Sequence, residues 1–327
     1  MTTSHTSAAS QPKQSTRVGT TGTGPIRIGT RGSALALAQT GAVGRALAAR
    51  SGVPVELVTI STEGDRSKES LASLGGTGVF ASALRDALLA GECDAIVHSL
   101  KDLPTAAHPG LVIAAIPPRE DARDALCARD GFTLDTLPEG ARVGTGSPRR
   151  QAQLRARRPD LEIVDIRGNI DTRLGRVGVD LDAVILAAAG LSRLGRLGAI
   201  TEYLGIDGWP TAPGQGALAI EVRVGDEKLV SALDHRGTRI VVEAERHVLA
   251  LLEAGCAAPI GANALVDDGL LFLSARVYKI DGSESLTSSH ALYLSDVTKP
   301  SLDVANRVAR ELLDDGAATL APLGGSQ

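Results

Sequence analysis

The sequence predicts two α/β lobes with a ligand cleft between them, followed by a smaller C-terminal α+β domain. Three observations carry this expectation. At 327 residues the chain is too long for one ordinary core. A strand, Gly-rich turn and helix near Ile26 return in similar form near Arg142. Hydrophobic residues make up 43% of the chain and aromatics only 2%, so the cores must be filled by Ala, Val, Leu and Ile, which suits helices layered on sheets.

"IRIGT", residues 26–30, reads as a strand, and from Ser33 the run "SALALAQTGAVGRALAAR" has helical spacing with Ser33 as its N-cap. A strand at "VELVTI", a loop over residues 61–78, a helix at "VFASALRDALLAG" and a strand at "DAIVHS" follow. This is the βαβ rhythm of a parallel sheet. In "ARVGTGSPRRQAQLRARRPDLEIVDIRGNI" the device recurs, with Ser147 as N-cap and Pro148 at the first helical position. After "GWPTAPGQGALAIEVRVGD" the pattern changes to a helix at "RIVVEAERHVLALLEAG", an antiparallel pair at "GLLFLSARVYKIDGSE" and "SSHALYLSD", and a closing helix at "SLDVANRVARELLDDGA". The resulting boundaries are a disordered tail over 1–24, domain 1 over 25–119 and 215–237, domain 2 over 120–214, and domain 3 over 238–327.

Composition narrows the function. A net charge of -4 and so few aromatics argue against nucleic-acid binding, which uses a basic groove and stacking platforms. Cys93, Cys127 and Cys256 are an odd set without CxxC spacing, so neither a disulfide framework nor a zinc site is predicted, and a reducing cytosol is expected. Cys93 and Cys127 lie in apolar, strand-like runs and read as inert buried thiols. The Ser- and Thr-rich opening lacks a signal-peptide apolar run, and no stretch approaches the ~18 apolar residues of a membrane helix.

Helix starts at the carboxyl ends of strands offer free N–H groups and favour an anion. Arginines gather there: Arg31 at the first, Arg149 and Arg150 at the second, then Arg167, Arg173 and Arg193. Arg155, Arg157 and Arg158 lie down the helix and read as a solvated face.

The segments "RGSALALAQ", "HSLKDLP", "REDARDAL", "GTGSPRRQAQL", "IRGNIDTRL", "AAAGLSRLG", "PGQGALAIE" and "EAGCAAPIG" together resemble the porphobilinogen deaminase (hydroxymethylbilane synthase) family in order and spacing, from about Ile26 to the last helix. The resemblance implies periplasmic-binding-protein-like lobes with a hinged cleft. It also implies a cytosolic, usually monomeric transferase that condenses four porphobilinogen molecules into a linear tetrapyrrole, releasing ammonia at each addition. A dipyrromethane cofactor is implied as a thioether on Cys256, a residue that on its segment alone reads as a core thiol.

Asp102 matches the family's catalytic acid, although a Lys-Asp pair in a loop also reads as an exposed ion pair. A carboxylate there would stabilise the azafulvene cation left when ammonia departs. The resemblance assigns cofactor binding to Lys101, Thr145, Ser147, Arg149, Arg150, Gly168 and Arg173. It assigns substrate carboxylates and nearby polar positions to Arg31, Ser33, Gln39, Arg149, Arg167, Arg173, Arg193 and Gln215. One departure stands out: the loop before "GGTGVF" often carries lysines in the family, whereas this chain has Ser73 and Thr77, with Arg66 and Lys68 as replacement charges.

Two other classes remain. A non-catalytic anion binder would use the same two lobes but would not need domain 3 or Cys256. A cysteine hydrolase would pair Cys256 with His98, His235 or His247, which no motif fixes in space.

Overall fold

A computed structural model describes residues 24–61, 78–255, 258–321 and 323. The first lobe contains β1 (Ile26–Thr30), α1 (Ala34–Ser51), β2 (Val55–Thr59), α2 (Gly78–Ala90), β3 (Ala95–Ser99) and β4 (Leu111–Ala115). The second contains β5 (Asp124–Ala128), β6 (Arg142–Gly144), α3 (Pro148–Arg157), β7 (Glu162–Val164), α4 (Ile170–Leu174), β8 (Ala183–Ala187), α5 (Ala188–Arg193) and β9 (Glu202–Leu204). The chain then returns to the first lobe as β10 (Leu218–Arg223). The third domain is built from α6 (Arg236–Leu251), β11 (Ile260–Asp267), β12 (Leu270–Tyr278), β13 (Ser285–Tyr293), α7 (Pro300–Asp314) and α8 (Ala317–Leu320).

The two lobes repeat one sheet. The orders are β2-β1-β3-β10-β4 and β7-β6-β8-β5-β9. In each, the fourth strand runs antiparallel to both neighbours while the first three are mutually parallel. The βαβ rhythm predicts a parallel sheet, and the structure pairs three parallel strands in each lobe with one reversed strand added. The chain crosses between lobes twice, at 116–123 and 205–217, and the strand that follows each crossing, β5 and then β10, enters its sheet reversed.

Caps set the helix starts that face the cleft. Ser33 is extended and accepts from the Ala36 N–H at 3.3 Å, and Ser147 accepts from the Arg150 N–H with Pro148 beginning the helix. In the third domain Leu271, Leu273, Ala275 and Val277 alternate inward from β12 and meet Val248 of α6 and Val304, Val308 and Leu312 of α7. The sequence reading missed β11: "IGANALVD" has small residues and only a short apolar run, and its pairing with β12 is a tertiary fact.

A buried carboxylate joins all three parts. Glu245 of α6 accepts from Arg119 Nη1 at 2.7 Å and Nη2 at 3.0 Å, from the Gly214 N–H at 2.8 Å and from the Ala264 N–H at 2.9 Å. Both crossings and β11 are therefore tied to one side chain, whose charge is fully hydrogen-bonded as burial requires. Gly216 in the second crossing has φ +87°, and a Cβ there would lie 2.6 Å from the Glu120 carbonyl oxygen. Gly216→Ala is expected to cost more than about 1 kcal/mol through left-handed backbone strain alone. The urea midpoint measures it, and an unchanged midpoint would contradict the tightness of this joint.

Candidate functional site between the lobes

The site forms where the carboxyl ends of β3 and β6 face each other across the crossings. From the first lobe, β3 ends at Ser99 and a single 3₁₀ turn, Leu100–Asp102, presents Lys101 half-buried and Asp102 exposed. From the second lobe, the α3 start presents Arg149 and Arg150. These do not lie on the surface: Arg149 is 3% and Arg150 6% exposed, and both turn towards Asp124 at the start of β5.

Asp124 is the electrostatic centre. Its Oδ2 accepts from Arg149 Nη2 and Trp209 Nε1, both at 2.9 Å, and its Oδ1 from Arg150 Nη2 at 2.6 Å and Gln215 Nε2 at 2.8 Å. Burial would raise this carboxyl, but Arg149 and Arg150, with the hydrogen bonds from Arg150 and Gln215, hold it far below the usual carboxylate range. Gln215 extends the network into the first lobe, because its Oε1 accepts from Lys101 Nζ at 3.1 Å while its Nε2 also donates to the Ala122 carbonyl.

Around this centre the field is positive. Burial lowers the Lys101 pKa to about 8 against the pull of Asp102, and Arg150 acts in the same direction as burial. Burial, with Arg150 and Arg167 nearby, lowers Arg173, while Asp165 and Asp102 oppose it. Asp102 of the first lobe therefore lies within electrostatic reach of Arg173 of the second. Arg193 donates to the Gly216 carbonyl at 2.6 Å and is lowered by burial, with Glu120 opposing. Arg167 is exposed, 3.6 Å from Asp165.

The remaining expected positions divide. Arg31 and Ser33 lie between β1 and α1, with Ser33 occupied as the cap, and Gln39 is buried on the same helix. Thr145 is fully buried and its hydroxyl accepts from the Ser147 N–H at 3.3 Å. Gly168 has φ +107°, a conformation suited to glycine, and its carbonyl accepts from Arg173 Nε at 2.8 Å. Cys256 lies outside the described residues, as do Arg66, Lys68, Ser73 and Thr77. His98 is bonded to Glu221 at 3.0 Å and His235 caps α6. Cys93 and Cys127 are buried, and burial pushes each thiol up to about 11, as expected of inert cysteines. Among the described residues no group of His, Cys, Asp and Glu could hold a metal ion, and no helix is long and apolar enough to cross a membrane.

Sequence reasoning missed Asp124, Trp209 and Arg246, the last of which grips the turn carrying Asp102. Asp124 stands in the quoted "REDARDAL", and a charged residue opening the apolar run "DALCA" was the available signal.

Two atoms point to a bound anion. Arg149 Nε and Arg150 Nε are buried with no hydrogen-bond partner among the described residues. A buried donor left unpaired costs about 1–3 kcal/mol, so acceptor oxygens of a bound carboxylate would complete the pair. The acetate and propionate groups of a dipyrromethane fit that requirement.

The porphobilinogen deaminase dipyrromethane cofactor binding domain matches residues 26–231, and the porphobilinogen deaminase C-terminal domain matches residues 240–314. A porphobilinogen deaminase from Leifsonia xyli subsp. xyli is 62% identical, covering 92% of this chain and 96% of its own. Another from Thermobifida fusca is 52% identical over 90% of this chain and 95% of its own. Among solved structures, a periplasmic substrate-binding protein of an ABC transporter from Coxiella burnetii is 17% identical. It covers 65% of this chain and 93% of its own, with a TM-score of 0.40. The match of both domain models along one chain, at such identity to its relatives, shows that this chain belongs to the porphobilinogen deaminase family.

Proposed function

We propose that Cys256 carries the dipyrromethane primer in this member of the family and that Asp102 is its catalytic carboxylate. The activity is that of the family: four porphobilinogen molecules are joined into the linear tetrapyrrole hydroxymethylbilane, with loss of ammonia at each addition, in tetrapyrrole biosynthesis. Bound dipyrromethane supplies the pyrrole carbon from which the chain grows.

The observation that carries the reading is the placing of Asp102 within electrostatic reach of Lys101 and Arg173, next to the buried cluster that Arg149 and Arg150 form on Asp124. Each pyrrole brings two carboxylates, so a growing chain needs a basic wall. Arg149 and Arg150, oriented by Asp124, bind primer carboxylates with Lys101, Thr145, Ser147, Gly168 and Arg173. Arg31, Ser33, Gln39, Arg167, Arg173, Arg193 and Gln215 line the path of incoming substrate. Asp102 stabilises the cation that forms as the aminomethyl C–N bond breaks, and hands a proton to the leaving amine. The domain limits 25–119 with 215–237, 120–214, and 238–327 give a cleft between the first two and a carrier in the third. The protein works as a cytosolic monomer.

The reading is tested by intact mass of the purified protein beside Cys256→Ser. A wild-type mass raised by two linked pyrroles and absent from the variant is expected. An unmodified wild type that gains no mass on incubation with porphobilinogen would overturn the covalent primer and favour an anion binder.

A further inference from the structure

We infer that Arg246 is a positioning residue for the reaction, holding the turn that presents Asp102. The inference rests on the reading of Asp102 given above and concerns how that carboxylate is kept in place.

The turn has little holding it from within. It is one turn of 3₁₀ helix, a form with poorer hydrogen-bond geometry than the α-helix. Within Leu100–Asp102 and its cap, one backbone bond closes it, from the Leu103 N–H to the Leu100 carbonyl at 3.2 Å. Its upstream side is tied to the second crossing by the Leu100 N–H and the Ala217 carbonyl at 3.0 Å. Asp102 itself is exposed. An exposed carboxylate on a short turn would sample a wide region unless the backbone were fixed from outside.

α6 of the third domain supplies that fixing in two ways. Val242, fully buried, belongs to the same apolar cluster as Leu100 and Leu103, which seats the turn against the helix. Arg246 lies one helical turn further on and on the same face. Its Nη1 donates to the Leu100 carbonyl at 3.0 Å and the Leu103 carbonyl at 2.7 Å, and its Nη2 donates to the Pro104 carbonyl at 2.8 Å. These three carbonyls straddle Lys101 and Asp102. The fork of a guanidinium can hold several fixed acceptors at once, whereas an ammonium is a point donor on a flexible stem. α6 also precedes the segment bearing Cys256 in sequence, so the helix that leads to the primer grips the turn that carries the acid.

Arg239, earlier on α6, serves as the control. It ties the same helix to the first lobe through Asp234 and, at 3.3 Å, the Ile113 carbonyl, away from the turn. Arg246→Gln and Arg239→Gln should both loosen the contact between α6 and the lobe, and only the first should free the turn.

The experiment compares steady-state kinetics with porphobilinogen for Arg246→Gln, Arg246→Lys, Arg239→Gln and Asp102→Ala, each first checked by intact mass for the primer and by thermal melting. Because a displacement of about 1 Å at a reacting group can cost ~100-fold, Arg246→Gln is expected to lose at least ~10-fold in kcat with KM within about threefold. Arg246→Lys should recover part of that loss, and Arg239→Gln should stay within about twofold of wild type. The inference is overturned if Arg246→Gln keeps wild-type kcat, or if Arg239→Gln loses as much. Should Arg246→Gln not fold, Arg246→Lys decides alone, and wild-type kcat in it overturns the inference. Asp102→Ala separates the two readings: wild-type turnover there removes the role of Asp102 and the Arg246 inference with it. A loss there beside wild-type Arg246→Gln removes only the inference.

Discussion

Asp102→Ala is expected to lower kcat by at least ~100-fold, the scale of removing one preorganised electrostatic group from a reacting centre. Once the aminomethyl nitrogen has taken its proton, loss of ammonia leaves the pyrrole cationic, and a negative charge facing it is worth most while that charge moves onto the ring. The surrounding groups make this carboxylate hard to replace. Lys101, Arg150 and Arg173 share its neighbourhood, and all are basic. Without Asp102 the developing cation would meet a wall of its own sign. In the proposed reading the substrate carboxylates are held by arginines and not by Asp102, so KM should change far less than kcat, the pattern of an interaction made mainly in the transition state. Steady-state kinetics on protein shown by mass to carry its primer measures the effect. A loss under ~10-fold would remove Asp102 from the central role, since even one ordinary general acid contributes about 100-fold.

Much of the frame was legible because local chemistry dictates it. Ser33 and Ser147 announce their helices as side-chain caps, and Pro148 marks a helix start, so both lobe openings fall where the sequence puts them. β10 and β5 were harder, since nothing in "LAIEVR" or "DALCA" says that it runs against its neighbours. That follows from the two crossings, which depend on the whole chain. The arginines show the same limit. The motif predicts Arg149 and Arg150 at a helix start, and the structure puts them there but turned inward to a carboxylate at residue 124, a partner that no helical or strand period connects to them. Arg246 was invisible for a related reason: it looks like any charge on an amphipathic helix until its backbone acceptors, far earlier in the chain, are brought beneath it.

The second large effect concerns Asp124, whose replacement by Asn is expected to cost about 3–5 kcal/mol of stability, the usual result of leaving buried charges without their partner. Arg149 and Arg150 would keep their positive charges at 3% and 6% exposure, with the carboxylate between them gone. Asn can still accept from one side, but it offers one carbonyl oxygen to the four donors that now share two carboxylate oxygens. The pH dependence separates this loss from one of packing alone. The folded Asp124 carboxyl is held far below its unfolded value of about 3.9, so its stabilising contribution is complete above that pH. It is lost progressively as pH falls below that value towards the folded pKa. The gap between wild type and Asp124→Asn in urea unfolding should therefore be the same at pH 7 and pH 5 and should narrow in stronger acid. A gap below about 1 kcal/mol at pH 7 would mean that the two guanidiniums find other acceptors or solvent at little cost. In that case the arginines would not depend on Asp124 for their orientation. A full gap would identify Asp124 as the group that lets two guanidinium cations be buried side by side at the start of α3.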